Sequence, residues 1–219
     1  MNNPRIKIIY EDQWLLVADK PAGMPVIPTP KKERTLSEIV NDYLDGLGIE
    51  INAYPCHRLD RDTTGLVVFA KGKAAQQKMM DAFRAREVHK RYIAFAHGMM
   101  KSASGEISAP IYIRKKNRKE DALTRYRVLK KTREFTVAEV EPVTGRTNQI
   151  RLHFKQIGHP LVGESVFVFR KDFSLRFRRT ALHAAGLEFR HPVTGEAVCL
   201  ESGLPQDMKR FLENYPEKK

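Results

Sequence analysis

The chain has 219 residues, enough for one large domain or two small ones, and 42 % of them are hydrophobic, enough for a real core. Thirty-nine Lys and Arg against 26 Asp and Glu leave a net charge of +13, which favours a polyanionic partner, most often a phosphate backbone. No apolar stretch approaches the roughly 20 residues of a membrane helix, and Met1-Asn2-Asn3-Pro4-Arg5 lacks the apolar segment of a signal peptide. Cys56 and Cys199 lie far apart without a Cys-x-x-Cys, so neither a disulfide framework nor a zinc site is suggested and a cytoplasmic setting is expected.

In chain order, Ile6–Tyr10 and Trp14–Ala18 read as two strands of a hairpin. Pro21, Gly23, Pro25, Pro28 and Pro30 then prohibit regular structure and mark a loop. Thr35 to Leu47 is predicted to be a helix, with Thr35 as N-cap, Glu38 in the capping-box position and an apolar face of Leu36, Ile39, Val40, Tyr43, Leu44 and Leu47. Leu66–Ala70, between Gly65 and Lys71-Gly72, is a buried strand. Lys73 to Arg86 has the helical period through Ala75, Met79, Ala82 and Phe83. Strands follow at Tyr92–Ala96, Ala122–Leu129 and Phe135–Val140, and a helix is expected from Thr147 to Gly158. Leu187–Phe189 and Ala197–Leu200 form a second hairpin, and Pro205–Leu212 closes the chain as a short helix. Strands outnumber helices and hairpin turns join many of them. The expected fold is therefore α+β, a largely antiparallel mixed β-sheet with flanking helices and loops, in a single domain over residues 1–219.

Three clusters could do chemistry. In His57-Arg58-Leu59-Asp60-Arg61-Asp62-Thr63-Thr64-Gly65, charges crowd the entrance of a buried strand. Cations beside Asp60 favour its ionised form, and an ionised carboxylate can act as nucleophile, base or metal ligand; a structural Arg–Asp pair at a strand start is the other reading. In Thr144-Gly145-Arg146-Thr147-Asn148-Gln149-Ile150-Arg151, a turn before a helix start offers backbone donors suited to anions, unless Arg151 and Lys155 are simply surface cations. The third is His89-Lys90-Arg91-Tyr92, whose tyrosine either packs, stacks on a base or transfers a proton. The charge excess is also clustered. Arg114 to Arg133 holds ten Lys and Arg against Glu120 and Asp121, and Arg170 to Arg179 holds five against Asp172. Such blocks suggest a face whose partner supplies the compensation.

Other chemistries have no pattern here. No helix-spaced histidine pair with an acid between suggests a zinc hydrolase, and there is no phosphate loop, dinucleotide fingerprint or Gly-x-Ser-x-Gly elbow.

Together these clusters resemble the RluA family of pseudouridine synthases. His57–Gly65 follows its signature, which usually ends Thr-Ser-Gly. Asp19-Lys20-Pro21-Ala22-Gly23 is similar to its Asn-Lys-Pro-x-Gly, and Lys90-Arg91-Tyr92-Ile93-Ala94 to its Lys-x-Tyr-x-Ala. Thr144–Arg151 resembles Thr-Gly-Arg-Thr-His-Gln-Ile-Arg, and Leu182-His183-Ala184 with His191-Pro192-Val193-Thr194-Gly195-Glu196 resembles the C-terminal motif. The resemblance implies isomerisation of specific uridines in structured rRNA, tRNA or both, without cofactor; no metal site is expected from the histidine spacing, and a monomer is the default expectation. It makes Asp60 the catalytic aspartate, Arg151 the arginine that pairs with it, Tyr92 the residue that packs on the target base, and Arg58 the side chain that enters the duplex as the uridine leaves. His57, Lys20, Arg146 and Asn148 are expected among the RNA contacts.

Departures from the pattern are Asn148 for His, Thr64 for Ser and Asp19 for Asn; the first two keep hydrogen-bonding capacity. Many relatives carry an N-terminal RNA-binding domain; none is expected here, so RNA affinity is expected from the basic blocks, with Lys115, Lys116, Arg118 and Lys119 as first candidates. Two rival functions are a non-catalytic RNA-binding or ribosome-assembly protein and a base-flipping glycosylase. Loss of pseudouridine formation in Asp60→Ala excludes the first, and absence of free uracil the second.

Overall fold

Eight consecutive buried residues, Thr64–Lys71, form the strand β4 around which the N-terminal part of the protein is built. The computed structural model describes residues 6–113, 116–168 and 175–215. It divides into two units, Met1–His89 with Ala184–Gly203 and Lys90–His183 with Leu204–Lys219.

In the first unit β1 (Lys7–Glu11) and β2 (Leu15–Lys20) form an antiparallel hairpin. Asp12 closes its turn, with Oδ1 accepting from the amides of Trp14 (2.7 Å) and Leu15 (2.6 Å). β2 lies antiparallel on β4, Val17 opposite Val68. The helix α1 (Leu36–Gly46) starts at the expected capping box: Thr35 Oγ1 accepts from Glu38 N at 3.2 Å and Glu38 Oε2 from Thr35 N at 2.6 Å. Asn41 on α1 binds both backbone groups of Ala53 and so seats a short strand, β3 (Ala53–Pro55), against β4. α2 (Lys73–Ala85) buries Ala75 and Met79 against Leu15, Val17, Leu66 and Val68. Each large aliphatic side chain buried in this way contributes about 1.5–3 kcal/mol.

The second unit contains an antiparallel sheet in the order β5 (His89–His97), β10 (Phe135–Pro142), β9 (Leu123–Lys131), β6 (Ser104–Ser108), with α3 (Gln149–Gln156) following β10 in the chain. A separate hairpin pairs β7 (Ile111–Ile113) with β8 (Arg118–Glu120). α4 (Gln206–Glu213) packs Phe211 among Phe95, Phe135, Phe177 and Tyr215. Arg179 fastens this helix, its Nε and Nη2 reaching the Asp207 carboxylate at 2.7 and 3.0 Å. The second expected hairpin belongs to the first unit, where β11 (Leu182–Arg190) pairs through Gly186 to Arg190 with β12 (Ala197–Glu201).

The architecture is α+β with largely antiparallel pairing, as expected. Four short strands, β3, β6, β7 and β8, add to the expected set. α3 starts at Gln149 rather than Thr147, because Asn148 adopts the left-handed conformation at φ 57° and ends the preceding turn. Among the described residues no helix is long and apolar enough to cross a membrane.

Candidate active site

The first unit carries Asp60 on a tight turn at the entrance of β4. The Thr63 amide donates to Asp60 O at 3.1 Å, while Leu59, Thr63 and Thr64 are buried on either side. The flanking residues thus anchor the turn and leave Asp60 only partly covered, with Arg58, Arg61 and Asp62 exposed. Arg61 has the structural role, its Nη1 donating to Glu33 Oε1 at 2.7 Å. Gly65 sits at φ +111°, where an added Cβ would lie 2.2 Å from Ala184 O, so β4 enters its sheet where only glycine fits.

Two of the expected RNA contacts also have partners within the first unit. Lys20 is 1 % exposed, and its Nζ donates to the carbonyls of Pro21, Met24 and Arg61, each at 2.8 Å. It ties the proline-rich loop to the turn of Asp60 and does not present its charge at the surface. His57 Nε2 accepts from the Val68 amide at 3.0 Å, and its ring centroid lies 5.0 Å from that of Phe83. That imidazole braces β4 against α2.

The second unit carries Tyr92 and Arg151. Tyr92, 8 % exposed, lies on β5 opposite Val140. Two residues earlier on the strand, Lys90 is half-buried; burial pushes its pKa down, with Glu141 opposing. The turn before α3 is bolted to β9 by Gln149, whose Nε2 donates to Leu123 O (2.8 Å) and whose Oε1 accepts from the Arg146 amide (3.0 Å). His153 reinforces it, with Nδ1 2.8 Å from Thr124 Oγ1 and Nε2 3.0 Å from Ala109 O.

From this braced turn Arg151 reaches a partner that the sequence did not reveal. Nε and Nη2 donate to Glu164 Oε2 and Oε1 at 2.7 and 2.8 Å, a bidentate fork. Nη1 donates to Asn148 Oδ1 at 3.0 Å, and the guanidinium carbon lies 4.8 Å from the centre of the Phe167 ring. The Glu164 side chain is wholly buried, and Oε1 also accepts from the amides of Ser165 (3.0 Å), Val166 (2.8 Å) and Phe167 (3.3 Å). Burial alone would raise its pKa, but the Arg151 hydrogen bonds and backbone amides overcome this and hold the carboxyl below its usual range. Asn148, expected at the RNA, is thus in contact with Arg151.

The basic blocks are more compensated than their sequence suggests. Glu120 binds Lys116 (2.7 Å), Arg118 (3.1 Å) and Arg146 (2.8 Å). Arg125 pairs with Glu106 on β6 (2.6 Å) and Arg127 with Glu139 on β10 (2.9 Å). The compensating acids are contributed by neighbouring strands, which a linear count misses. Arg179 is buried on Asp207, while Lys119 and Arg118 stay exposed. Lys115, Arg114 and the 170–174 part of the second block lie outside the described residues. Among the described residues no group of three or more His, Cys, Asp or Glu could hold a metal ion.

The model of a family described as RNA pseudouridylate synthase matches residues 14–156. An uncharacterized RNA pseudouridine synthase YlyB of Bacillus subtilis is 38 % identical over 95 % of the chain and 72 % of its own length. The ribosomal large subunit pseudouridine synthase D of Pseudomonas aeruginosa is 40 % identical over 94 % of the chain and 71 % of its own length. The dual-specificity RNA pseudouridine synthase RluA of Vibrio cholerae is 35 % identical over 87 % and 79 %. In fold, the chain is similar to human RNA pseudouridylate synthase domain containing 4, with TM-score 0.81 over 97 % of this chain and 94 % of that one at 22 % identity. The chain belongs to the RNA pseudouridine synthases, in their RluA family. It is an isomerase that converts uridine to pseudouridine in RNA.

Proposed function

We propose that this chain modifies specific uridines in structured rRNA or tRNA in the cytoplasm, as a monomeric single catalytic domain without cofactor. The relatives named for the large ribosomal subunit and for dual specificity support that substrate class. The observation that carries the reading is the Asp60 turn: a partly covered carboxylate between exposed Arg58 and Arg61 at the mouth of a fully buried strand.

Isomerisation breaks the bond from the sugar to N1, turns the uracil and rejoins it through C5; N1 gains a proton and C5 loses one. A stacked base cannot turn, so the nucleotide is flipped out at a cost of a few kcal/mol. Arg58, exposed beside Asp60, fills the space the base leaves and meets phosphate. Asp60 is the nucleophile and must be ionised. The family resemblance gives Arg151 the part of its partner arginine, and Tyr92 stacks on the uracil and takes the C5 proton. Lys116, Arg118, Lys119 and Arg146 hold the RNA backbone together with Lys115. The pairs of Lys116 and Arg118 with Glu120 do not prevent this, because both cationic side chains stay more than half exposed and can turn to phosphate.

The test is a pseudouridine map of rRNA and tRNA from cells with and without the protein, repeated with Asp60→Ala. Loss of defined sites in both the deletion and the variant is expected. An unchanged map in the deletion, or free uracil as product, contradicts the proposal.

A further inference from the structure

We propose that Glu164 is a positioning residue for the isomerisation, holding the Arg151 guanidinium in a single orientation. The inference rests on the reading that Arg151 acts in catalysis.

An arginine on an eight-residue helix has several rotatable bonds, and a group that must meet a carboxylate at one point is useful only if that freedom is removed. Glu164 removes it. Its two oxygens take Nε and Nη2 in a planar fork, and a fork fixes rotation as well as distance. The fork is itself fixed, because three successive amides converge on Glu164 Oε1. Asn148 then takes a hydrogen bond from Nη1, and the guanidinium carbon lies over the Phe167 ring, 4.8 Å from its centre.

The consequence concerns charge as well as place. With Nε and one Nη2 hydrogen given to Glu164 and one Nη1 hydrogen to Asn148, a further carboxylate can meet Arg151 only at the Nη1–Nη2 end of the guanidinium. The Arg151–Glu164 pair carries no net charge. Arg151 therefore serves the reaction as an aimed hydrogen-bond donor more than as a bare cation. A buried salt bridge is poor evidence for stability by itself; orientation is the function this geometry provides.

The test uses the full chain and bulk rRNA and tRNA from cells lacking the protein, labelled with 5-tritiated uridine. C5 loses its hydrogen in the reaction, so tritium release reads turnover. Glu164→Gln is expected to lower kcat at least 30-fold with RNA affinity within threefold of the parent. Glu164→Asp keeps the charge but withdraws it by one methylene, and should lower kcat at least threefold. In the unaltered protein, the Arg151 Nε–H should give a slowly exchanging nitrogen–proton resonance, lost in Glu164→Gln. A folded variant of either kind turning over within twofold of the parent, beside an inactive Arg151→Ala, overturns the proposal alone. So does fast exchange of the Arg151 Nε–H in the unaltered protein, a measurement that stands even if both variants fail to fold. Arg151→Ala with parental turnover overturns the reading of Arg151, and the proposal with it.

Discussion

Asn148 Oδ1 accepts a hydrogen bond from Arg151 Nη1 at 3.0 Å, across the first turn of α3, from a residue held at φ 57°. The two facts are coupled. The left-handed conformation turns the Asn148 side chain towards the helix it precedes, and asparagine is among the few non-glycine residues that adopt it readily. The histidine usual in the RluA pattern is thus replaced by a residue suited to the backbone and able to accept from Arg151. Asn148→Ala should cost about 1–3 kcal/mol, from left-handed strain and the missing charge-assisted hydrogen bond, and should lower kcat. Asn148→Gly relieves the strain without restoring the acceptor. Denaturant unfolding should therefore recover in the glycine variant while turnover stays low. Full turnover in both variants would show the bond to be idle.

Gly65 and Gly163 are places where a single methyl group is too much. At Gly163, φ +77°, an added Cβ would lie 1.9 Å from Arg179 O, and at Gly65 2.2 Å from Ala184 O. Both approaches are to backbone, which cannot swing aside. Gly65→Ala and Gly163→Ala are each expected to destabilise by about 2–5 kcal/mol, combining conformational strain with overpacking. Gly163 directly precedes Glu164, so its variant should lose turnover even at temperatures where it remains folded. Thermal unfolding with parallel activity measurements checks both expectations. A melting temperature within two or three degrees of the parent would count against the steric argument.

The parts of the fold legible in the sequence are those governed by local rules. Thr35 and Glu38 announce α1 because both ends of the capping box lie within one turn. β4 is legible because all its side chains are buried, leaving an unbroken apolar run. β6 has no such signature, because Ile107 is its one buried residue; its pairing is dictated by β9, not by its own pattern. The site divides in the same way. Asp60, Tyr92 and Arg151 stand in recognisable motifs, but Glu164, thirteen residues beyond Arg151, is a lone acid until the chain folds. The internal partners of Lys20 and His57 are hidden in the sequence for a related reason. A charged or polar letter does not tell whether its group faces water or a backbone carbonyl.

Burial sets a pH dependence of stability. His97 is pushed down to about 4 from an ordinary 6.5, first by burial and then by the nearby Arg176 charge. Burial also lowers the His153 pKa, against an opposing hydrogen bond to Ala109. Between pH 6.5 and 4 the unfolded chain binds a proton at position 97 that the folded protein refuses. Stability must then fall as pH falls through that window, by up to about 1.4 kcal/mol per pH unit for a fully titrating group. The lowered carboxyls Glu164 and Asp207 add to the loss at lower pH, where they protonate. Denaturant midpoints measured from pH 7 to 4 should decline, and His97→Gln should make the decline shallower. A flat wild-type profile would show that His97 titrates normally.

Charge pairing separates two classes of cation that look alike in the sequence, and salt dependence can distinguish them. Arg125 and Arg127 on β9 are each matched by a carboxylate on an adjacent strand, Glu106 and Glu139. Lys116 and Arg118 share the single Glu120 with Arg146, and Lys119 beside them is exposed. The β7–β8 hairpin therefore keeps a positive excess, whereas that stretch of β9 is locally neutral. Removing one cation that neutralises a phosphate should reduce the slope of log K against log salt by about 0.7–0.9. Replacing Lys116, Arg118 and Lys119 together with Ser should weaken RNA binding and flatten the slope by about 2. Replacing Arg125 and Arg127 with Ser should change the slope by less than about half a unit, and stability little, since such exposed pairs contribute about 0–1 kcal/mol each. Binding titrations from about 50 to 200 mM salt resolve the two outcomes. If the β9 pair carries the larger slope, RNA displaces the carboxylates there, and the sheet face rather than the hairpin is the electrostatic contact.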